Sequence, residues 1–147
     1  RDIRFFSGDF PLMLNMLIML DDFTLENGAT YLLAKSHLKD EKPTEAMFYE
    51  KSDRVVGKKG DVLFFNSNLW HAAGINTTNQ ERRAITISFT KPFLKQQLDY
   101  SRAIGYENVE KLSNELQQLV GYYSRIPSNL DEWYQKPEQR FYRPGQD

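Results

Sequence analysis

Apolar residues in the first ninety positions gather in short runs, each closed by turn-forming residues. Ile3 to Phe6 is the first run and reads as a short strand, ended by Ser7-Gly8-Asp9 and Pro11. Leu12 to Leu20 is apolar at every position except Asn15, which predicts a strand covered on both faces. The polar stretch Asp21 to Gly28 ends in Asn27-Gly28, a pair that accepts the positive φ of a tight turn. Ala29 to Ala34 then reads as the return strand of a hairpin. Lys35 to Asp53 is polar and loop-like, with one helical turn at Thr44 to Tyr49. Val55-Val56 and Val62 to Ser67 are short strands joined by the turn Gly57-Lys58-Lys59-Gly60-Asp61. After the Asn- and Thr-rich loop from Gly74 to Gln80, Ala84 to Thr90 alternates as a half-buried strand does.

The period changes after Lys91-Pro92. Leu112, Leu116, Leu119 and Val120 fall at helical spacing, predicting an amphipathic helix over Asn108 to Val120 that Gly121 terminates. From Tyr122 to Asp147 the chain mixes Pro127, Pro137 and Pro144 with Trp133, Tyr134, Phe141 and Tyr142, and reads as an extended arm docking its aromatics. No helical pattern separates the early strands, so a doubly wound α/β sheet is disfavoured. The expected class is mainly β: a sandwich or jelly roll with helical additions. Positions 1–92 form its core and 93–147 a C-terminal extension of the same domain.

Composition narrows the partners. At 147 residues the chain is one domain or part of one. Nineteen basic side chains nearly balance twenty acidic ones, so no basic face is expected and nucleic acid is not the partner. There is no cysteine, which removes disulfides and thiolate metal sites and fits the reducing cytoplasm. Leu12 to Leu20 is far shorter than the roughly 20 residues of a membrane helix, so no membrane partner is expected either. A small molecule remains the expected partner, and no oligomeric state is set by the pattern.

The candidate chemistry rests on few residues. Of the two histidines, His71 follows an apolar strand and precedes Arg82 by eleven positions. Asp2 stands at the front of the chain. A non-haem Fe(II) centre that activates O2 uses two imidazoles and one carboxylate on one face of its octahedron. His-x-Asp delivers two such ligands from one strand, because residues i and i+2 share a face, and a distant strand brings the third. A 2-oxo acid chelates such an ion, and its far carboxylate needs a fixed cation. Arg82 and Arg83 point to opposite faces, so one of them serves. Blander readings exist for each residue. His71 alone could be a core histidine, and Arg82 could pair at the surface with Glu81 or Asp61. Asp21, Asp22 and Glu26 read as turn and capping residues, His37 as a structural loop residue, and Trp70 as packing outside the barrel.

Four stretches in order carry a resemblance: LMLNMLIMLDDFTLENGATYLLAKSH, GDVLFF, HAAGIN and ERRAITISF. Together they resemble the phytanoyl-CoA dioxygenase family of Fe(II)- and 2-oxoglutarate-dependent oxygenases. The resemblance implies a double-stranded β-helix, with Fe(II) on Asp2 and His71 and 2-oxoglutarate anchored on Arg82 rather than Arg83. It implies that the residue before Arg1 is a histidine, the chain being the C-terminal part of a longer protein. It also implies hydroxylation of an unactivated C–H bond rather than halogenation, because the carboxylate ligand is retained. Two departures stand out. Ala34-Lys35-Ser36-His37 replaces the family's Pro-Gly-Ser-His, and Ala73 stands where some members carry a hydroxyl that helps hold the co-substrate. Asn15 is assigned a replacement contact to that co-substrate. The alternative reading is a non-catalytic jelly-roll binding module whose metal site has decayed.

Overall fold

A computed structural model gives the fold of the chain and describes residues 1–3 and 5–146. It divides into two compact units, Arg1–Thr90 and Lys91–Asp147. Among the described residues no helix is long and apolar enough to cross a membrane.

The first unit holds two three-stranded antiparallel sheets. In one, β1 (Met13–Met19) lies between β4 (Val62–Asn66) and β6 (Ala84–Thr90). In the other, β2 (Thr30–Leu32) lies between β3 (Asp53–Val55) and β5 (His71–Ala72). Helix α1 (Glu45–Lys51) is capped by Thr44, whose hydroxyl accepts the Met47 N–H, and it buries Phe48. Met19, Phe23 and Ala29 form the core, with Leu17 and Val55 packed against them. Burying an aromatic such as Phe23 contributes about 1.5–3 kcal/mol.

Three expectations are corrected here. Leu12–Leu20 and Ala29–Ala34 do not form a hairpin, because β1 and β2 belong to different sheets. The reason is Phe23, which is 1% exposed and exchanges backbone hydrogen bonds with Gly57. That anchor carries the connection across to the second sheet before Asn27-Gly28 turns it. Asn27 and Thr24 lock the turn by accepting each other's backbone N–H, and Gly28 takes φ +84°. Nor is β1 covered on both faces. Leu14 is 42% exposed, Phe64 on β4 56% and Ile85 on β6 46%. Ile3, Phe5 and Phe6 form no strand, while Arg4 lies outside the described residues.

The second unit is built from short helices: α2 (Tyr100–Ile104), α3 (Tyr106–Val109), α4 (Asn114–Leu119) and α5 (Leu130–Trp133). The single helix expected over Asn108–Val120 is broken, because the Ser113 side chain accepts the Leu116 N–H and starts α4 afresh. Leu116 and Leu119 face solvent, whereas Leu112 and Val120 pack on the buried Val109, Tyr122 and Tyr123. Gly121 ends the segment at φ +79°, as its position predicts. The tail is not an extended arm. It forms α5 and a 3-10 turn at Pro137–Gln139, and Trp133 and Tyr134 remain exposed. Within this unit Arg125 lies over Tyr106, Tyr122 and Phe141, an aromatic enclosure for one guanidinium.

Candidate active site

Asp2 is held by its neighbours rather than by a strand. Its backbone N–H donates to the Ser67 carbonyl at 3.0 Å. The Arg1 side chain, 7% exposed, lies over Trp70 and donates to the carbonyls of Asn68, Ser36 and Lys39. Trp70 in turn donates its backbone N–H to the Ser36 hydroxyl and accepts the Leu33 N–H. These bonds fasten the start of the chain to the loop that leads into β5, which His71 begins.

His71 pairs with Leu32 of β2, and its ring meets Phe65 edge-on at 5.0 Å. Its Nδ1 lies 2.9 Å from the Leu69 carbonyl, a group that only accepts. In the neutral imidazole Nδ1 therefore carries the proton, and Nε2 presents a lone pair. That Nε2 is 3.4 Å from Asp2 Oδ1. The other Asp2 oxygen accepts from the Asn15 amide, and Asn15 Oδ1 accepts from the Ser88 hydroxyl at 2.8 Å.

Asp2, Asn15, His71 and Arg82 line one cavity of about 470 Å³, within the range usual for small-molecule sites. Leu17 and Phe65 give it an apolar wall, and Thr30 and Thr86 add hydroxyls. Ala73 also lines it and offers none. The guanidinium of Arg82 lies 4.1 Å from the centre of the Phe23 ring. Among the described residues no carboxylate pairs with it; burial alone acts on it and lowers its pKa. Arginine nevertheless stays charged at neutral pH, so an incompletely solvated cation faces the cavity. Its neighbour Arg83 is used differently. It forms a two-pronged pair with Asp21 at 2.9 Å and 2.9 Å.

The residues suit a metal ion. Two donors at adjacent corners of an octahedron with bonds of about 2.1 Å stand about 3 Å apart, close to the observed gap between Nε2 and Oδ1. The Nδ1 hydrogen bond to a backbone carbonyl is the usual outer support of a ligating imidazole. Among the described residues no third His, Cys, Asp or Glu joins Asp2 and His71. His37 sits in the 3-10 turn Ser36–Leu38, outside the cavity lining. Asp21 and Asp22 serve the turn and its surroundings. Asp22 accepts the Lys59 N–H and the Lys58 ammonium.

Ser88 is the site residue that reading the sequence missed. Its one signal was the polar pair Thr86 and Ser88 on a single face of β6. Only the pairing of Ser88 with Asn15 across β1 and β6 gives that pair a meaning.

Comparison with known proteins gives the family of the chain. Residues 1–84 match the Phytanoyl-CoA dioxygenase (PhyH) family, and the chain belongs to it. The uncharacterized protein Rv1501 of Mycobacterium tuberculosis is 43% identical over 148 residues, covering 96% of this chain and 54% of that protein. The iron/alpha-ketoglutarate-dependent dioxygenase penM of Penicillium thymicola is 31% identical over 119 residues, 80% of this chain and 37% of penM. Among solved structures, AviO1 from Streptomyces viridochromogenes Tue57 superposes with a TM-score of 0.54 at 29% identity. That likeness covers 65% of this chain and 43% of AviO1. The chain thus spans about half, or less, of the length of these relatives.

Proposed function

We propose that the first unit is the metal- and co-substrate-binding core of an Fe(II)- and 2-oxoglutarate-dependent dioxygenase, built as part of a double-stranded β-helix. The observation that carries the proposal is the convergence of two electron-rich atoms, His71 Nε2 and Asp2 Oδ1, at 3.4 Å. A neutral imidazole lone pair and a carboxylate oxygen at that spacing suit a shared cation, whether a metal ion or a proton on Nε2. The Arg82 guanidinium, which has no carboxylate partner among the described residues, faces the same cavity.

In this reading His71 and Asp2 are two of three protein ligands, and a histidine directly before Arg1 is the third, as the family pattern implies. Arg82 binds the far carboxylate of 2-oxoglutarate through two parallel N–H donors, with the Phe23 ring beneath it as a shelf. The Leu69 carbonyl keeps His71 in the tautomer that offers Nε2. Leu17 and Phe65 keep one side of the cavity apolar, which strengthens each charge contact inside it. When bound, Fe(II) supplies the reductive activation of O2 that decarboxylates 2-oxoglutarate to succinate and hydroxylates an unactivated C–H bond of a small organic substrate.

The test uses the intact gene product with Fe(II), 2-oxoglutarate and ascorbate. Succinate release that disappears in both Asp2→Ala and His71→Ala is the expected result. Release that survives both substitutions sinks the assignment. An intact protein that binds neither metal nor 2-oxoglutarate removes the oxygenase reading and leaves the non-catalytic alternative standing.

A further inference from the structure

We infer that Asn15, oriented by Ser88, is a positioning residue that aims one oxygen of Asp2 at the metal position and occupies the other; this rests on the metal-site reading above. Asn15 is 1% exposed at the centre of β1, in a strand otherwise apolar from Met13 to Met19. A buried amide in such a strand is costly unless its polar atoms are paired. Here they are paired on two sides, by groups far apart in sequence.

The chemistry sets the direction of both bonds. An ionised carboxylate only accepts, so the Asn15 NH2 faces Asp2 Oδ2. The Asn15 carbonyl oxygen then faces Ser88, whose hydroxyl donates to it at 2.8 Å. The chain of donation runs from Ser88 through Asn15 to Asp2. With Oδ2 occupied, Oδ1 is the oxygen directed at His71 Nε2. Asp2 is therefore set to bind an ion through one oxygen only.

The need for this support is local. Asp2 lies outside any strand, and its side chain is 45% exposed. Its backbone is fastened to Ser67, but that bond leaves the carboxylate free to rotate. Among the described residues Asn15 is the side chain that donates a hydrogen bond to it. A rigid central strand thereby orients a ligand that its own segment leaves loose. This role differs from a contact to the co-substrate, and the two predict different losses.

The experiment is anaerobic Co(II) binding to the intact protein by calorimetry, with the visible Co(II) spectrum as a second readout. The variants are Asp2→Ala, Asn15→Leu, Ser88→Ala and Ser88→Thr. Asn15→Leu should weaken Co(II) binding by about 10–100-fold and change the spectrum. Ser88→Ala should cost about fivefold, and Ser88→Thr should restore the wild-type spectrum. Should Asn15→Leu fail to fold, the exposed Ser88 carries the test through its Ala and Thr variants. Wild-type affinity and spectrum in a folded Asn15→Leu or in Ser88→Ala overturn the inference. So does a loss of 2-oxoglutarate affinity with Co(II) binding unchanged, which makes Asn15 a co-substrate contact. A wild-type protein that binds no Co(II), or an Asp2→Ala variant that binds it normally, overturns the metal-site reading itself.

Discussion

Two adjacent arginines show how much a single residue's surroundings decide. Arg83 points to solvent and pairs with Asp21, whereas Arg82 turns onto Phe23 and faces the cavity with no counter-ion among the described residues. An incoming carboxylate compensates a charge that the fold has left partly desolvated, so Arg82 has more to gain from an anion than Arg83. Arg82→Ala should weaken 2-oxoglutarate binding to the Co(II)-loaded intact protein by about 10–100-fold, the usual worth of a paired, charge-assisted contact. Arg82→Lys should fall between, because it keeps the charge and loses the planar fork. Arg83→Ala should leave the affinity as it was. Titration by calorimetry distinguishes the three, and an unchanged affinity in Arg82→Ala removes the anchor.

At the scale of elements, the critical contact is the approach of the β2 and β5 ends. Strand β5 is two residues long and is held to β2 through Tyr31 and Leu32. Just beyond it, a Cβ on Gly74 would stand 2.5 Å from the Ala29 carbonyl oxygen. A Cβ on Gly28 would meet the Gly74 carbonyl oxygen at 2.6 Å. The two glycines thus let two backbones touch where side chains would hold them apart. Gly74→Ala should push β5 off β2 and shift His71 from Asp2. The expected result is a loss of about 1–3 kcal/mol in urea unfolding together with weaker metal binding. Unaltered stability and Co(II) affinity would show that the close approach is dispensable.

At the scale of the whole molecule, the described carboxylates with resolved shifts all lean the same way. Asp21 is lowered from 3.8 to about 2, first by the Arg83 side chain and then by the Arg83 N–H. Asp22 is lowered by the Lys59 N–H and the Lys58 ammonium, and Glu26 by its own N–H and the Thr24 hydroxyl. Glu115 and Glu132 are lowered by backbone and hydroxyl donors at the starts of α4 and α5. A carboxyl whose folded pKa is depressed binds more protons unfolded than folded. Its stabilisation is full above the unfolded pKa and drains away as pH falls through the folded one. Stability should therefore hold from neutral pH to about 4.5 and decline from there to about 2. Asp21→Asn should flatten the lower end of that decline. Urea midpoints measured across this range are the check, and a midpoint that rises on acidification contradicts it.

The strands β1, β4 and β6 were legible in the amino-acid order from their apolar, β-branched and aromatic residues, although β6, expected to be half-buried, is exposed at every position but Phe89. Asp2, His71 and Arg82 were legible as candidates, since ligand and anchor types are narrow and their order resembles a family's, and the fold brings all three to one cavity. What the order did not contain was which sheet each strand joins. The turn signal at Asn27-Gly28 is local, whereas the crossing to the second sheet depends on Phe23 meeting Gly57. The break between α3 and α4 was hidden similarly, because Ser113 as a cap outweighs a leucine stripe that buries little. The pairing of Ser88 with Asn15, and through it with Asp2, was equally absent from the order. Residue identity determined which groups were able to act, because chemistry is a property of side chains. Their company was decided only in three dimensions, because pairing across a sheet depends on register and on burial that distant residues impose together.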